Sequence, residues 1–241
     1  GAGAALIKTP DLAVQIIRAA KQGVEDWLNG QTVADCPNLE PKLVHRIEQQ
    51  AIDLKIDQVA RKHLPVSLKT RIGYDTVTAD EWVSQLVAAE PAAITIHGRT
   101  LRQAYSGQAN WEVIAQAAAV IKQQRPETVV IGNGDVRDRA MGQEYCRQYG
   151  LDGVLIGRAS FGNPWVFGGQ APELVATVAL EHARLYELTY GQDEKYSFLP
   201  MRKHLAWYIK GMPNAAEIRS RLVRAETSGE VEEICRLYQL L

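Results

Sequence analysis

The sequence predicts an α/β protein in which a parallel sheet is followed by a block of helices. Four short apolar runs each end in a polar cluster: Val66-Ser67-Leu68-Lys69-Thr70-Arg71, Ala93-Ile94-Thr95-Ile96-His97-Gly98-Arg99, Val129-Val130-Ile131-Gly132-Asn133-Gly134-Asp135 and Gly153-Val154-Leu155-Ile156-Gly157-Arg158. Successive clusters lie about 22 to 36 residues apart, room for one strand, one helix and two loops. After Gly168-Gly169 the pattern changes, and no further strand-like run is convincing. Parallel α/β folds place their chemistry at the C-terminal ends of strands, so the Lys, His, Asn, Asp and Arg of these clusters are expected on one rim.

The elements follow in order. Thr9-Pro10 supplies an N-cap hydroxyl and a proline at the first helical position. Leu12, Ile16 and Ile17, with Val14 beside them, form that helix's expected apolar face. Residues 25–64 are polar and helical in flavour, with Pro37 and Pro41 as breakers and a stripe of Ile47, Ala51, Leu54 and Val59. A first strand is expected at 65–69. Thr78-Ala79-Asp80-Glu81 reads as a capping box opening a helix with Trp82, Leu86 and Val87 inward. Strand 92–96, helix 111–123, strand 128–132, helix 137–149 with Gly150 as its C-cap, and strand 153–156 complete the alternation. The strands are apolar and β-branched, as in a sheet covered by helices. Four helices follow at 173–190, 198–211, 214–225 and 228–240. Two of them open on Asn214-Ala215-Ala216-Glu217 and Thr227-Ser228-Gly229-Glu230. The domains are expected at 1–170 and 171–241, with the boundary near 169–172.

Composition narrows the function classes. Of the 241 residues, 46% are apolar and 23% charged, ordinary for a globular protein. A formal net charge of −1 gives no global pull toward nucleic acid or membrane, so any basic patch is local. No apolar run approaches the ~20 residues of a membrane span, and Gly1-Ala2-Gly3-Ala4-Ala5-Leu6 lacks the basic region of a signal peptide. Cys36, Cys146 and Cys235 are widely spaced and odd in number, which indicates neither a disulfide framework nor a metal cluster. A reducing cytoplasm is the default.

Gly132-Asn133-Gly134-Asp135 follows one strand and Gly157-Arg158 the next. Together they read as a phosphate cradle of glycine-exposed N–H groups and a guanidinium. A phosphate site after the last two strands is the common (β/α)8-barrel arrangement. Taken alone, a Gly-x-Gly turn is equally a tight strand-to-helix connection. Lys69 alone reads as a snorkelling surface lysine, and His97 alone as a satisfied core histidine. At equivalent rungs of one ladder they instead offer a cation and a hydrogen-bond donor to a flavin or enolate-like anion. Between 201 and 224, six basic residues (Arg202, Lys203, Lys210, Arg219, Arg221, Arg224) stand against one acid, Glu217, a local face for a phosphate backbone. Trp207 and Tyr208 read as core residues.

The string Ile94-Thr95-Ile96-His97-Gly98-Arg99-Thr100, with Gln103, Tyr105, Gly107, Ala109 and Trp111, resembles the tRNA-dihydrouridine synthases. So do Lys69-Thr70-Arg71, Gly132-Asn133-Gly134-Asp135, Gly157-Arg158-Ala159 with Gly162-Asn163-Pro164-Trp165, and the tail Met201-Arg202-Lys203-His204-Leu205 with Trp207-Tyr208 and Lys210-Gly211. The likeness covers most of residues 1–24 and 65–225, and 25–64 reads as an insertion. It implies the C-terminal half of an FMN-bearing (β/α)8 TIM barrel, strands five to eight, followed by an all-α tRNA-binding domain. The implied reaction reduces uridine in tRNA to dihydrouridine, with NADPH as reductant. Lys69 and His97 would contact the flavin ring system. Asn133, Gly134, Asp135, Gly157 and Arg158 would hold its ribityl chain and phosphate. Arg99, Arg102, Arg202, Lys203 and Lys210 would meet RNA. The full-length protein is expected to be a monomer.

The family's proton-donating cysteine belongs to an Asn-x-Gly-Cys-Pro motif expected upstream of Gly1. Cys36-Pro37 is no substitute, because it follows the Gly1–Ala5 segment and no strand leads into it. Cys146 and Cys235 read as core thiols. The expectation is therefore a C-terminal piece without a catalytic cysteine, inactive alone, unless two copies pair to close a barrel. The competing readings are another FMN-dependent barrel oxidoreductase, or a non-catalytic RNA-binding module built from the tail.

Overall fold

The computed structural model describes residues 3–56, 60–170, 174–193 and 195–241. The chain forms two compact units, Gly1–Gly134 with Tyr145–Leu155, and Asp135–Glu144 with Ile156–Leu241. The expected boundary at 169–172 lies partly outside the described residues.

The first unit holds a four-stranded parallel sheet in the order β1 (Ser67–Arg71), β2 (Ala93–His97), β3 (Val129–Asn133), β4 (Gly153–Leu155). Alternation along each strand separates two faces. One carries Thr70, Ile94, Ile96, Val130 and Gly132, all buried. It packs on α3 (Ala79–Val87) and α4 (Trp111–Gln124). The Trp82 indole N–H donates to Thr70 Oγ1 at 2.7 Å. A Cβ on Gly132 would stand 2.5 Å from the Trp111 ring, so only glycine admits that helix so close. Ile94, Ile96, Ile114 and Ile121 are 0% exposed, each contributing about 1.5–3 kcal/mol. That burial places β2 and β3 at the centre of the layer.

The other face carries Lys69 and Arg71, Thr95 and His97, Ile131 and Asn133, and Gly153 and Leu155. Its ends are open, with Ser67, Lys69, Val129 and Leu155 exposed, while Thr95 and His97 at its centre are buried.

Several local expectations shift. The first strand starts two residues late, so Lys69 sits mid-strand and Arg71 takes the tip. Pro10 does open α1 (Pro10–Leu28), but the Thr9 hydroxyl makes no capping bond, nor does that of Thr78 at α3. On α1 the buried residues are Ala13 and Ile17, while Leu12 and Ile16 are about half exposed. Helix α2 (Pro41–Asp53) buries none of its residues, so the stripe of Ile47, Ala51 and Leu54 forms no core; Val59 lies outside the described residues. Cap selection also differs at α4, where Asn110 Oδ1 accepts from the Val113 amide at 3.0 Å. The fifth helix, α5 (Arg139–Tyr149), ends at Gly150 with φ +64, as expected of a glycine C-cap.

In the second unit α6 (Val175–Tyr190), α7 (Leu199–Tyr208), α8 (Ala215–Leu222) and α9 (Ser228–Leu237) enclose their own core. Ala183, Met201, Leu205, Ile209 and Val231 are 0% exposed there. Thr227 caps α9 by accepting from the Glu230 amide at 3.2 Å. Asn214 instead adopts a left-handed conformation (φ +54) and makes no side-chain cap, so its expected capping box does not form. No helix among the described residues is long and apolar enough to cross a membrane.

Candidate functional site

Strand register builds the site. Arg71, His97, Asn133 and Leu155 are paired in one row at the C-terminal ends of β1 to β4. Lys69 pairs with Thr95, and Thr95 with Ile131, one row lower on the same face. Lys69 and His97 therefore share a face but not a row, and Arg71 is the cation level with His97. Partial desolvation of its ammonium end, followed by the neighbouring Arg71 charge, pushes Lys69 below the ordinary lysine value although the residue as a whole is exposed. The Arg71 guanidinium donates to the carbonyls of Thr100 at 3.0 Å and Ala104 at 3.4 Å, tying the loop after β2 to the tip of β1.

That loop is a self-bonded unit. The Thr100 amide donates to Gln103 Oε1 at 2.8 Å, the Gln103 amide returns to Thr100 Oγ1 at 3.2 Å, and Ser106 Oγ donates to the Gln103 carbonyl at 2.6 Å. Arg99 lies beneath it at 2% exposure. Its guanidinium donates to the carbonyls of Ser106 (3.2 Å) and Gly107 (2.6 Å) and lies 3.5 Å from His97 Nε2. This corrects the expectation of an RNA-facing Arg99: the charge is spent inside the loop. Arg offers donors only, so in this contact Nε2 of His97 stands on the acceptor side. Arg102 is on the surface, its side chain 78% exposed and 3.5 Å from the Asp75 carboxylate.

After β3, Asn133 Nδ2 donates to the Leu155 carbonyl at 2.9 Å, joining the tips of β3 and β4. Gly134 has φ +132, and its carbonyl accepts from the Trp111 indole at 3.1 Å. A Cβ at 134 would lie 2.5 Å from the Ala109 methyl and 3.2 Å from His97 Cδ2. Glycine here allows the turn to pass against the imidazole.

In the second unit Arg158 Nη2 meets Asp135 Oδ1 at 2.8 Å. The Arg158 side chain is 53% exposed, so the pair adds little stability. Gly157 precedes the short turn Arg158–Ser160 and accepts from Ser160 Oγ at 2.7 Å. Among the described residues, nothing lies within 4 Å of where its Cβ would be. Of the tail's basic residues, Arg202 is held inward. Its Nε donates to the Ala225 carbonyl at 2.8 Å, Nη2 lies 3.5 Å from Glu226, and the side chain is 23% exposed. That bonding turns the guanidinium of Arg202, expected to meet RNA, toward the chain's own groups. Lys203 and Lys210 are exposed.

Sequence reading missed Arg71 and Thr95 as members of this face. The signal was present: Thr95 precedes His97 by two in a run of isoleucines, so both must share its polar side. None of the three cysteines lies on a strand, and all three are free thiols.

A parallel α/β chain with a row of cation, imidazole and amide at its strand tips belongs to the class of folds that carry their sites at the sheet's C-terminal edge. The family model described as "Dihydrouridine synthase (Dus)" matches residues 41–240. The chain belongs to the dihydrouridine synthase family. It is 32% identical over 182 residues to a probable tRNA-dihydrouridine synthase of Staphylococcus epidermidis, covering 73% of this chain and 55% of that protein. It is 31% identical over 175 residues to probable tRNA-dihydrouridine synthase 2 of Bacillus subtilis, covering 71% and 54%. A probable tRNA-dihydrouridine synthase of Staphylococcus aureus is 29% identical over 238 residues, 97% of this chain and 61% of that protein. The chain thus spans between half and two thirds of these relatives' length. The family match takes in residues 41–64, the later part of the stretch that reads as an insertion.

Proposed function

We propose that this chain is the flavin-gripping part of a tRNA-dihydrouridine synthase: the C-terminal half of a (β/α)8 barrel with a helical tRNA-binding segment at 171–241. The observation that carries the reading is the row Arg71–His97–Asn133 with Lys69 below it on the same face, in a chain of this family. Lys69 and His97 are assigned to the ring system of FMN. Asn133 and Gly134 are assigned to its ribityl chain. Gly157 and Arg158 are assigned to its phosphate, and Asp135, an acceptor, to hydroxyls of the ribityl chain. When bound, the flavin supplies the two-electron transfer from NADPH to the uracil ring.

The chain's own residues hold and orient. The Lys69 ammonium and the His97 imidazole set a cation and a ring N–H in one polar face, where negative charge is stabilised without reorganisation. Arg99 meets the His97 ring from within its loop. Gly157 exposes backbone N–H groups, and Arg158 exchanges its Asp135 partner for phosphate. Arg102, Lys203 and Lys210 serve the tRNA phosphates, and the target base must leave its stack to be reduced. Three free thiols fit a reducing, cytoplasmic setting. No cysteine sits at a strand tip, so the proton donor of the full reaction is not assigned to any residue of this chain.

The test is a flavin titration followed by absorbance and flavin-fluorescence quenching. FMN is expected to bind more tightly than riboflavin, and Arg158→Ala to remove that preference. Lys69→Met is expected to weaken both. Equal, unsaturable behaviour of FMN and riboflavin would defeat the flavin assignment. A second measurement, dihydrouridine formation on unmodified tRNA with NADPH and FMN, is expected to give no turnover with the chain alone.

A further inference from the structure

An aromatic ladder runs through the second unit and ends at its surface. Tyr208 Oη lies 3.3 Å from His182 Nδ1. The His182 ring meets His204 edge-on at 5.4 Å, and His204 meets Trp207 edge-on at 4.9 Å. Trp207 stacks on Phe161, with ring centroids 4.1 Å apart and planes 9° from parallel. The inner end is buried, with Tyr208 at 9% exposure, but Phe161 is 47% exposed. Phe161 is held in place from behind. Its neighbour Gly162 has φ +67, and a Cβ there would stand 2.5 Å from the Trp207 carbonyl. The ring is thus a flat, buttressed surface with one face committed and the rest toward solvent. Burial pushes both His182 and His204 below the ordinary imidazole value, which favours their neutral forms inside the ladder.

Charge says what such a surface suits. Lys203 stands four residues before Trp207 on α7, Lys210 lies three residues after it in the turn just past the helix end, and both are exposed. The Lys210 amide bonds the Trp207 carbonyl at 3.4 Å, carrying the helical turn on to it. A parallel-stacked ring with cations at about one helical turn on each side is the arrangement that single-stranded nucleic acid recognises: a base on the ring, phosphates on the lysines. An apolar protein partner would have no use for the flanking cations.

We propose that Phe161, backed by Trp207 and flanked by Lys203 and Lys210, is a stacking platform for one unpaired nucleobase of the bound RNA, separate from the uridine that is reduced. The inference rests on the tRNA reading above and adds to it a named contact and its chemistry. The platform is sequence-tolerant, since every base has a π face.

The test uses the full chain and unmodified tRNA transcripts, with affinity measured by fluorescence anisotropy across a salt series. Phe161→Leu, which keeps apolar bulk but not the stack, is expected to weaken binding about 5- to 150-fold with an unchanged salt slope. Phe161→Tyr is expected to retain binding. Lys203→Ala and Lys210→Ala are each expected to lower the slope of log K against log salt by about 1. Photocrosslinking of the unaltered chain to the transcript is expected to mark the peptide containing Phe161, a readout that needs no variant to fold. Wild-type-like affinity of Phe161→Leu, or crosslinks at Lys203 without any at Phe161, overturns the platform while leaving tRNA binding standing. A change of oligomeric state in Phe161→Leu with RNA affinity intact also overturns it. Failure of the unaltered chain to bind tRNA defeats the broader reading and the platform with it.

Discussion

Gly134→Ala is the sharpest test of how the strand tips are assembled. Two separate costs arise at this position. With φ +132 the backbone occupies a region that only glycine visits readily, and forcing an L residue there costs about 1–3 kcal/mol. The new methyl would also lie 2.5 Å from the Ala109 Cβ and 3.2 Å from His97 Cδ2. Overpacking of that kind costs a further 1–3 kcal/mol or so. The sum, about 2–6 kcal/mol, is a large fraction of an ordinary domain's 5–15 kcal/mol. With a urea m-value of about 2 kcal/mol/M, a loss of 4 lowers the midpoint by about 2 M, easily read by tryptophan fluorescence. A companion change separates the two costs. Ala109→Gly removes the atom in the closest clash, so the double variant is expected to recover about 1–3 kcal/mol of the steric part and none of the backbone part. A Gly134→Ala midpoint within error of the unaltered chain, or strict additivity of the pair, would refute this account of the turn.

Trp82→Phe is expected to lose about 1–2 kcal/mol, because it strips the buried Thr70 hydroxyl of its donor at 2.7 Å; adding Thr70→Val should recover part of that loss in chemical denaturation. Leu205→Ala, at 0% exposure in the helical core, is expected to cost about 2–5 kcal/mol and to lower the unfolding midpoint of the helical signal by circular dichroism. Partial burial pushes the Asp152 carboxyl up, but the Lys122 ammonium at 2.7 Å and the Val130 amide at 2.7 Å outweigh it and hold the group below the usual carboxylate value. A carboxyl lowered on folding stabilises above its unfolded pKa of about 4 and loses that contribution as pH falls further. Urea midpoints from pH 6 to 3 should therefore drop more for the unaltered chain than for Asp152→Asn, which should start about 1 kcal/mol lower, given that the pair is partly exposed. Timed alkylation with mass-spectrometric readout is expected to label exposed Cys36 first and half-buried Cys146 later. Buried Cys235, its thiol pushed up by burial and then by the Glu232 charge, should react only on unfolding.

The alternation of strands and helices was legible because burial imposes it. Ile94, Ile96 and Val130 must face helices, and the intervening residues then face the other way. The four tail helices were legible for the same reason. What pattern could not supply was register along the chain. Val66-Ser67-Leu68-Lys69-Thr70-Arg71 satisfies a strand beginning at 65 or at 67, and only pairing with β2 selects the later start. That shift of two keeps Lys69 on the same face but moves it one row below His97 and brings Arg71 level with it, so the chemistry of the row changes although the pattern does not. Helix caps failed in a related way. Thr9, Thr78 and Asn214 have the right side chains, but their backbone angles lie outside the geometry that aims a cap at the third amide.

Arg99 shows most clearly why a polar residue in a recognisable motif does not declare its own role. By composition an arginine one residue past a strand-tip glycine belongs on the surface. Its burial becomes favourable only because the following loop folds back and turns the carbonyls of Ser106 and Gly107 inward, where a fork of N–H donors satisfies both at once. Those carbonyls face inward because Thr100, Gln103 and Ser106 bond one another and close the loop. The same guanidinium then comes within 3.5 Å of His97 Nε2. One cation thus satisfies the loop and meets the histidine ring, a coupling that exists only once residues 97 to 107 are folded against each other. In that arrangement Arg99→Lys is not a conservative change: a single ammonium cannot span both carbonyls and the ring, so the loop and the orientation of His97 should loosen together.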